Sequence, residues 1–225
     1  FYRPAFSSRF QVALDGSKQP SAWRNLYVNK GEPHEAPHIP YAIPNVWIGS
    51  VKEPMPIPEG PWRSVDSSQH AFFTESVIDE AAHIAGQDPL AYRKALLVDQ
   101  PRYLAILDKL EATSGWSRPL PEGWARGIAI HESFGTIVGE VVEVAVEDRR
   151  VEVKRVYCVA DPGFAMSPDG YVAQMESGII YGLSAAISGQ IEIQNGAAVQ
   201  SNFHDYSVVR MSSSPEIRVS IINSG

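Results

Sequence analysis

The pattern of hydrophobic and polar positions changes several times along the chain. Short apolar runs at 10–14 and 22–28 predict two strands, joined around Asp15 and Gly16. The stretch 31–61 contains eight prolines and little periodicity. Because proline removes a backbone donor and restricts its neighbour, we expect this stretch to be extended and irregular.

The next fifty residues have a helical period. Apolar residues recur there at spacings of three and four and predict one buried stripe, made of Phe73, Val77, Ala81 and Ile84. Gly86 is a candidate left-handed cap for this first helix. Asp88 and Pro89 have the residue types of an N-cap and a first helical position, which predicts a second helix. A third helix is predicted from Pro101 to Gly115.

From Arg126 the period changes from 3.6 to 2, which is typical of strands. Two β-rich runs, 136–146 and 151–159, are separated by a polar turn and predict a hairpin. A second hairpin is predicted at Asn195 and Gly196, and a last strand at 216–222.

One further helix is predicted between these hairpins, over 170–188. It is rich in small residues, Gly178, Gly182, Ala185 and Ala186. A helix with so little side chain on one side lets a backbone or a ligand approach closely. The blocks of strands and helices together predict an α+β fold with a central helical block. We divide it into a strand pair with a Pro-rich segment (1–61), a helical block (62–117) and hairpins around a small-residue helix (118–225).

Composition excludes several classes of partner and site. The 225 residues carry a formal charge of -7 and contain no cluster of Lys and Arg, which argues against nucleic acid. No apolar run approaches the ~20 residues of a membrane span. Cys158 is the only cysteine, so an intrachain disulfide and a cysteine-rich metal site are excluded. The cellular compartment, periplasm or cytoplasm, stays open.

Spacing alone gives three weak candidates for catalysis. His131, Glu132 and Ser133 are adjacent, but neighbours on a strand point to opposite faces and do not form a relay. Glu75, Asp79 and Glu80 are better explained as the solvated face of a helix. For His204 and Asp205 a buried structural pair is the favoured interpretation, with catalysis as the alternative.

Histidine spacing does not predict a metal site. His34 and His38 lie in the Pro-rich stretch, where helical i, i+4 geometry is not expected. We interpret both as solvated loop residues.

Several whole segments, in collinear order, resemble one family. These segments are 61–65, 68–80, 127–135, 174–183, 201–206 and 210–211. They resemble the molybdopterin-binding large subunit of the xanthine oxidase superfamily, in its branch of isoquinoline 1-oxidoreductase β-subunits and bacterial aldehyde dehydrogenases.

This resemblance implies a molybdenum hydroxylase, whose domain binds molybdopterin cytosine dinucleotide or a related molybdenum pterin. Such enzymes oxidise an N-heteroaromatic compound or an aldehyde with water as the oxygen source. Electrons leave through a small iron–sulfur subunit, and this branch also implies a cytochrome c subunit. A metal supplies the redox chemistry while the protein orients the reactants.

The resemblance assigns roles to four residues. Arg63 is similar to an arginine whose main-chain amide faces the molybdenum ligands, with a structural ion pair as the alternative. Gln174 is similar to a glutamine that hydrogen-bonds the pterin, with an ordinary residue of a helix N-terminus as the alternative. Val65 lies where xanthine oxidases have a substrate-stacking aromatic residue, so Trp62 or an earlier aromatic residue is the candidate to compensate for it.

Other parts of the family pattern are missing. Two glycine-rich upstream segments are absent, and the loop at 31–39 is shorter than usual. The catalytic glutamate is expected beyond Gly225, so we assign no catalytic residue and no metal ligand here. We therefore expect a fragment that is inactive alone, does not retain the cofactor, and self-associates through exposed apolar surface. The alternative function is a binding or assembly module that kept the fold and lost the cofactor.

Overall fold

A computed structural model of the chain describes residues 2–29, 37–54, 57–60 and 62–225. Its helices are α1 (Ser67–Ala85), α2 (Pro89–Leu96), α3 (Pro101–Ser114) and α4 (Pro168–Ile187). Its strands are β1 (Ser7–Leu14), β2 (Pro20–Asn29), β3 (Asn45–Lys52), β4 (Trp124–Ser133), β5 (Thr136–Glu147), β6 (Arg150–Asp161), β7 (Ile193–Gln194), β8 (Ala197–Ala198) and β9 (Glu216–Ile221). This content confirms the predicted α+β class. None of the helices in these described ranges is long and apolar enough to cross a membrane.

The first sheet has the order β1-β2-β3. The predicted pair β1 and β2 is antiparallel, and β3 lies parallel to β2. The prediction of an irregular stretch was wrong at β3, which lies between Pro44 and Pro54 and contains no proline itself. Its partner strand is distant in sequence, so no local pattern indicated the pairing. His34, most of the short loop at 31–39 and Pro61 lie outside the described residues.

The helical block begins and ends where the capping residues predict. Gly86 and Gly115 have φ of 67° and 61° at the ends of α1 and α3. The Asp88 carboxylate accepts hydrogen bonds from the N–H groups of Leu90 and Ala91. The predicted stripe was partly wrong, because Ile84 is 66% exposed. The helix instead buries a neighbouring face, in which small side chains allow close packing: Thr74, Ile78, Ala81, Ala82 and Ala85.

The second sheet has the order β4-β5-β6-β9, with β9 parallel to β6 and the other pairs antiparallel. Asp148 and Arg149 both have positive φ, which is the conformation of a tight two-residue hairpin turn. This confirms the hairpin predicted between β5 and β6. The second predicted hairpin also forms, but β7 and β8 have only two residues each.

The two faces of this sheet differ in how completely they are covered. We call the face under α1 and α3 the closed side; its core includes Ile106, Leu107, Leu110 and Val141, which are 0% exposed. We call the face under α4 the open side. Ile179 is the one buried residue of α4, and the sheet residues Ala125, Gly127 and Ala129 remain exposed.

Candidate cofactor-binding site

The loop before α1 has an uncommon backbone. Ser64 and Val65 are consecutive non-glycine residues with φ of 70° and 41°. The Val65 N–H donates to the Trp62 carbonyl oxygen at 2.9 Å and closes the turn. Among the residues that the structure describes, the N–H groups of Arg63 and Ser64 have no hydrogen-bond acceptor. Backbone in this region costs about 1–3 kcal/mol per residue, and such strain concentrates at functional sites.

The Arg63 side chain reaches from this loop to α4. Its Nη1 lies 3.0 Å from the Ser177 Oγ, and its Nη2 lies 3.1 Å from the Gln174 carbonyl oxygen and 3.3 Å from the Gln174 Oε1. The structure therefore brings together the two residues that the family resemblance selects, although 111 positions separate them. The alternative for Arg63 was a structural ion pair. Within the described chain, Arg63 makes no ion pair with a carboxylate.

The Gln174 carboxamide has a defined orientation. It lies exposed in the second turn of α4, so it is not a residue of the helix N-terminus. Because its Oε1 accepts from Arg63, its NH2 group is directed away as a donor. Gly178 lies beside the guanidinium, where an added Cβ would be 3.7 Å from the Arg63 Nη2, an ordinary contact distance.

Trp62, in the same loop, lines two cavities. Its ring stacks on Tyr181 of α4 at 4.7 Å between centroids, and the Arg3 guanidinium lies over it at 5.0 Å. Trp62 lines a cavity of about 580 Å³ with Phe203 and Tyr206, and a groove of about 820 Å³ along α4. Val65 lines neither cavity, and its side chain is 40% exposed.

Sequence reasoning missed two residues of this cluster, Ser177 and Tyr181. The available signal was the spacing along α4, since positions 174, 177, 178 and 181 recur every three or four residues and share one side of a helix. Without the position of the Arg63 loop, nothing in the sequence indicated which side of α4 mattered.

The prediction of a solvated acidic face on α1 was wrong for Glu75. This residue is 5% exposed, and its carboxylate accepts hydrogen bonds from the Tyr41 hydroxyl, the Arg93 Nε and the Ile130 N–H at 2.7–2.9 Å. Burial raises the pKa of the Glu75 carboxyl, and the Arg93 guanidinium opposes that shift. Asp79 forms the second ion pair of Arg93 at 2.6 Å. The network joins α1, α2 and β4 and is structural.

Glu132 and Ser133 have separate partners, as expected from the alternation of side chains on β4. The Glu132 carboxylate accepts from the Tyr103 hydroxyl at 2.8 Å. The Ser133 Oγ lies 3.1 Å from the Ser67 Oγ of α1. Among the described residues, the side chains of Glu132 and Ser133 therefore bond to Tyr103 and Ser67 and not to each other.

The prediction of a buried pair was wrong for His204 and Asp205. The His204 side chain is 74% exposed, and its Nε2 lies 3.6 Å from the Asp205 Oδ2. Hydrogen bonds from the N–H groups of Asn202 and Ser201 lower the pKa of Asp205 to about 2. Asp205 therefore closes a local turn. Among the described residues, no group of three or more His, Cys, Asp or Glu side chains is arranged to hold a metal ion.

Comparisons with known proteins identify the family. Residues 102–215 match the model of the molybdopterin cofactor-binding domain. The chain is 35% identical over 165 residues to isoquinoline 1-oxidoreductase subunit beta of Brevundimonas diminuta, over 71% of this chain and 21% of that protein. It is 29% identical over 183 residues to the membrane-bound aldehyde dehydrogenase (pyrroloquinoline-quinone) of Gluconacetobacter polyoxogenes, over 72% of this chain and 24% of that protein.

Solved structures extend the similarity to nearly the whole chain. The fold superimposes on quinoline 2-oxidoreductase from Pseudomonas putida 86 with a TM-score of 0.77 at 12% identity, covering 96% of this chain and 55% of that one. The chain spans about a fifth to a quarter of the length of the two curated relatives. More than half of its residues match the family model, so the chain belongs to the molybdopterin cofactor-binding domain family.

Proposed function

We propose that the protein containing this chain is a molybdenum hydroxylase, and that the Arg63 loop and α4 form part of its cofactor site. The contact between Arg63 and Gln174 carries this proposal. The proposal is supported by a strained loop, whose Arg63 and Ser64 N–H groups have no acceptor among the described residues, and by the exposed Gln174 carboxamide beside it.

The chemistry of these groups fits a pterin. A pterin has a planar ring whose edge carries both hydrogen-bond donors and acceptors, and the Gln174 carboxamide can bond either kind. The N–H groups of Arg63 and Ser64 are donors suited to oxygen atoms of a bound group. Gly182 of α4 has nothing within 4 Å of an added Cβ, so this side of the helix leaves room for a ligand.

When bound, the cofactor supplies the two-electron redox chemistry and activates water as the oxygen source. The residues of this chain bind and orient: Gln174 through its NH2 group and the loop through its amides. Trp62 lines both cavities beside the loop and is the residue of this chain that we propose to contact the substrate, whereas Val65 lines neither cavity. The proposed substrates are N-heteroaromatic compounds or aldehydes, the classes named in the two curated relatives.

We extend the proposal to the cofactor form and the partners. The cofactor is molybdopterin cytosine dinucleotide or a close relative, and electrons pass to a small iron–sulfur subunit or to a cytochrome c subunit. Arg63, Ser64 and Gln174 offer few contacts to so large a ligand, so we expect the 225 residues alone to lose the cofactor on purification and to show no turnover.

The test is to express the whole protein in a bacterium that synthesises the cofactor and to measure molybdenum and pterin per chain. Turnover of quinoline-type substrates and of aldehydes is measured with a dye acceptor. Gln174→Ala should lower pterin content about 10-fold, because a hydrogen bond and its orientation are lost. Gln190→Ala, an exposed glutamine beyond α4, should leave it unchanged.

Absence of molybdenum and pterin from the whole protein would contradict the proposal. That result would favour a binding or assembly module that kept the fold.

A further inference from the structure

Ser177 differs from the other serine within α4 in what it contacts. The Ser184 hydroxyl donates to the Ile180 carbonyl oxygen at 2.8 Å, one turn earlier in its own helix, as a serine in a helix commonly does. The Ser177 Oγ instead lies 3.0 Å from the Arg63 Nη1, in a segment 114 positions away. Ser177 is exposed, so this contact contributes little to the core.

The Arg63 guanidinium uses two of its nitrogens on α4. Nη2 donates to both oxygens of Gln174, main chain and side chain, while Nη1 donates to Ser177. Partners at both Nη atoms restrict the rotation of a planar guanidinium more than partners at Nη2 alone. Ser177 therefore contributes to the orientation in which Arg63 contacts Gln174.

Two parts of the proposed site depend on that orientation. The Gln174 carboxamide directs its NH2 group outward only while its Oε1 accepts from Arg63. Positive φ at Ser64 and Val65 is strained, so the loop keeps this conformation only while other contacts stabilise it. The Arg63 side chain is the polar group of the loop that the structure shows in contact with α4.

We infer that Ser177 is a positioning residue for the cofactor site, which acts through Arg63 on the Ser64–Val65 backbone and on the Gln174 carboxamide. The inference rests on the proposed function, because it assumes that this site binds the cofactor. Its first consequence, a more mobile loop when the Ser177 hydroxyl is removed, does not depend on a cofactor.

The experiment is residue-resolved hydrogen exchange on the cofactor-free, ¹⁵N-labelled chain. The reporters are the N–H groups of Val65 and Ser67, which donate within the loop to Trp62 and Ser64. In Ser177→Ala these two amides should exchange about 2- to 10-fold faster, since one modest hydrogen bond is lost and the loop opens more often. Ser177→Thr keeps the hydroxyl and should restore the original rates within about 2-fold.

The matched control is Ser188→Ala, the same chemical change at the end of α4, where no contact with Arg63 exists. It should leave both loop amides unchanged. Unchanged rates in Ser177→Ala, or equal acceleration in Ser188→Ala or Ser177→Thr, would overturn the inference.

A second readout separates this inference from the proposed function. Pterin content of the whole protein should fall in Ser177→Ala and recover in Ser177→Thr. A wild-type protein without pterin, combined with a faster loop in Ser177→Ala, would refute the function and leave the positioning role standing. If the wild-type protein contains pterin, and Ser177→Ala changes neither the pterin content nor the exchange rates of the loop amides, only the positioning role would be refuted.

Discussion

The closed and open sides of the four-stranded sheet are built from the same strands and yet differ in nearly every property. On the closed side, α3 lies so close that an added Cβ at Gly139 would be 2.7 Å from atoms of Ile106 and Leu110. On the open side, an added Cβ at Gly127 of the adjacent strand meets nothing within 4 Å. The closed side leaves no space for an added side-chain atom at Gly139. The open side is packed only under α4, where Val156 and Cys158 are buried, and is uncovered at Gly127.

This difference indicates that one side of the sheet mainly stabilises the fold and the other is available for binding. Buried charges on the closed side are paired, as Glu75 is with Arg93. The open side holds α4, which buries Ile179 against the sheet, together with the strained loop and the exposed contact between Arg63 and Gln174. We therefore expect substitutions on the closed side to lower the free energy of unfolding, and substitutions on the open side to act mainly on binding.

The largest effect is expected from Arg93→Met, which would break the buried network of the closed side. The Glu75 carboxylate would stay buried without its cation, and removal of one partner of a buried pair costs about 3–5 kcal/mol. Denaturant unfolding measures the change. Lys94→Met, one residue later, removes a half-buried cation from the exposed carboxylates of Asp108 and Glu111 and should cost about 0–1 kcal/mol. Equal losses in both variants would contradict the distinction.

The next effect is a pH dependence centred on His70. This imidazole is 0% exposed, packs edge-on against Phe6, Tyr27 and Phe73, and has no hydrogen-bond partner at either nitrogen within the described residues. Burial lowers its pKa from 6.5 to about 4. Between these values the unfolded chain binds the proton and the native chain does not, so stability falls as the pH falls.

The loss attributable to His70 should reach about 3 kcal/mol near pH 4, from a shift of roughly 2.5 pKa units. His70→Phe, which keeps an aromatic ring without a titrating group, should remove that part of the slope. The measurement is the free energy of unfolding from pH 7.5 to 4 in both proteins. Parallel curves would contradict the assignment of this pH dependence to His70.

A smaller effect tests the packing of the two faces directly. Gly139→Ala should lower the free energy of unfolding by about 1–3 kcal/mol, because Ile106 and Leu110 are fully buried and have no space into which to move. Gly127→Ala makes the same change toward the open side and should be neutral or slightly stabilising. A cost at Gly127 similar to that at Gly139 would show that the two faces do not differ as described.

The smallest effect is expected within α4 itself. Gly182→Ala should stabilise the chain by about 0.5–1 kcal/mol, since alanine favours a helix and the added methyl group meets no atom within 4 Å. Thermal unfolding detects such a change. A destabilised variant would indicate that this side of α4 is already covered, for example by a second copy of the chain.

Much of the fold was predictable because its signals are local. Capping residues such as Asp88 and Gly86 determine helix ends through their own backbone bonds, and Asn195 and Gly196 adopt positive φ in their turn regardless of distant contacts. Motifs that resemble the family also identify Arg63 and Gln174, each from its own neighbours in the sequence. Only the contact between the two depends on residues far apart.

Other features were decided by the tertiary structure alone. Glu75 has the sequence context of a solvated carboxylate and becomes buried only because Tyr41, Arg93 and Ile130, from three other segments, surround it. β3 forms because β2 supplies its hydrogen-bond partners, and Ser177 gains its role because the loop of Arg63 packs beside it. The physical reason is the same in each case: the partner that fixes the residue is distant in sequence, so its energy appears only when the chain folds.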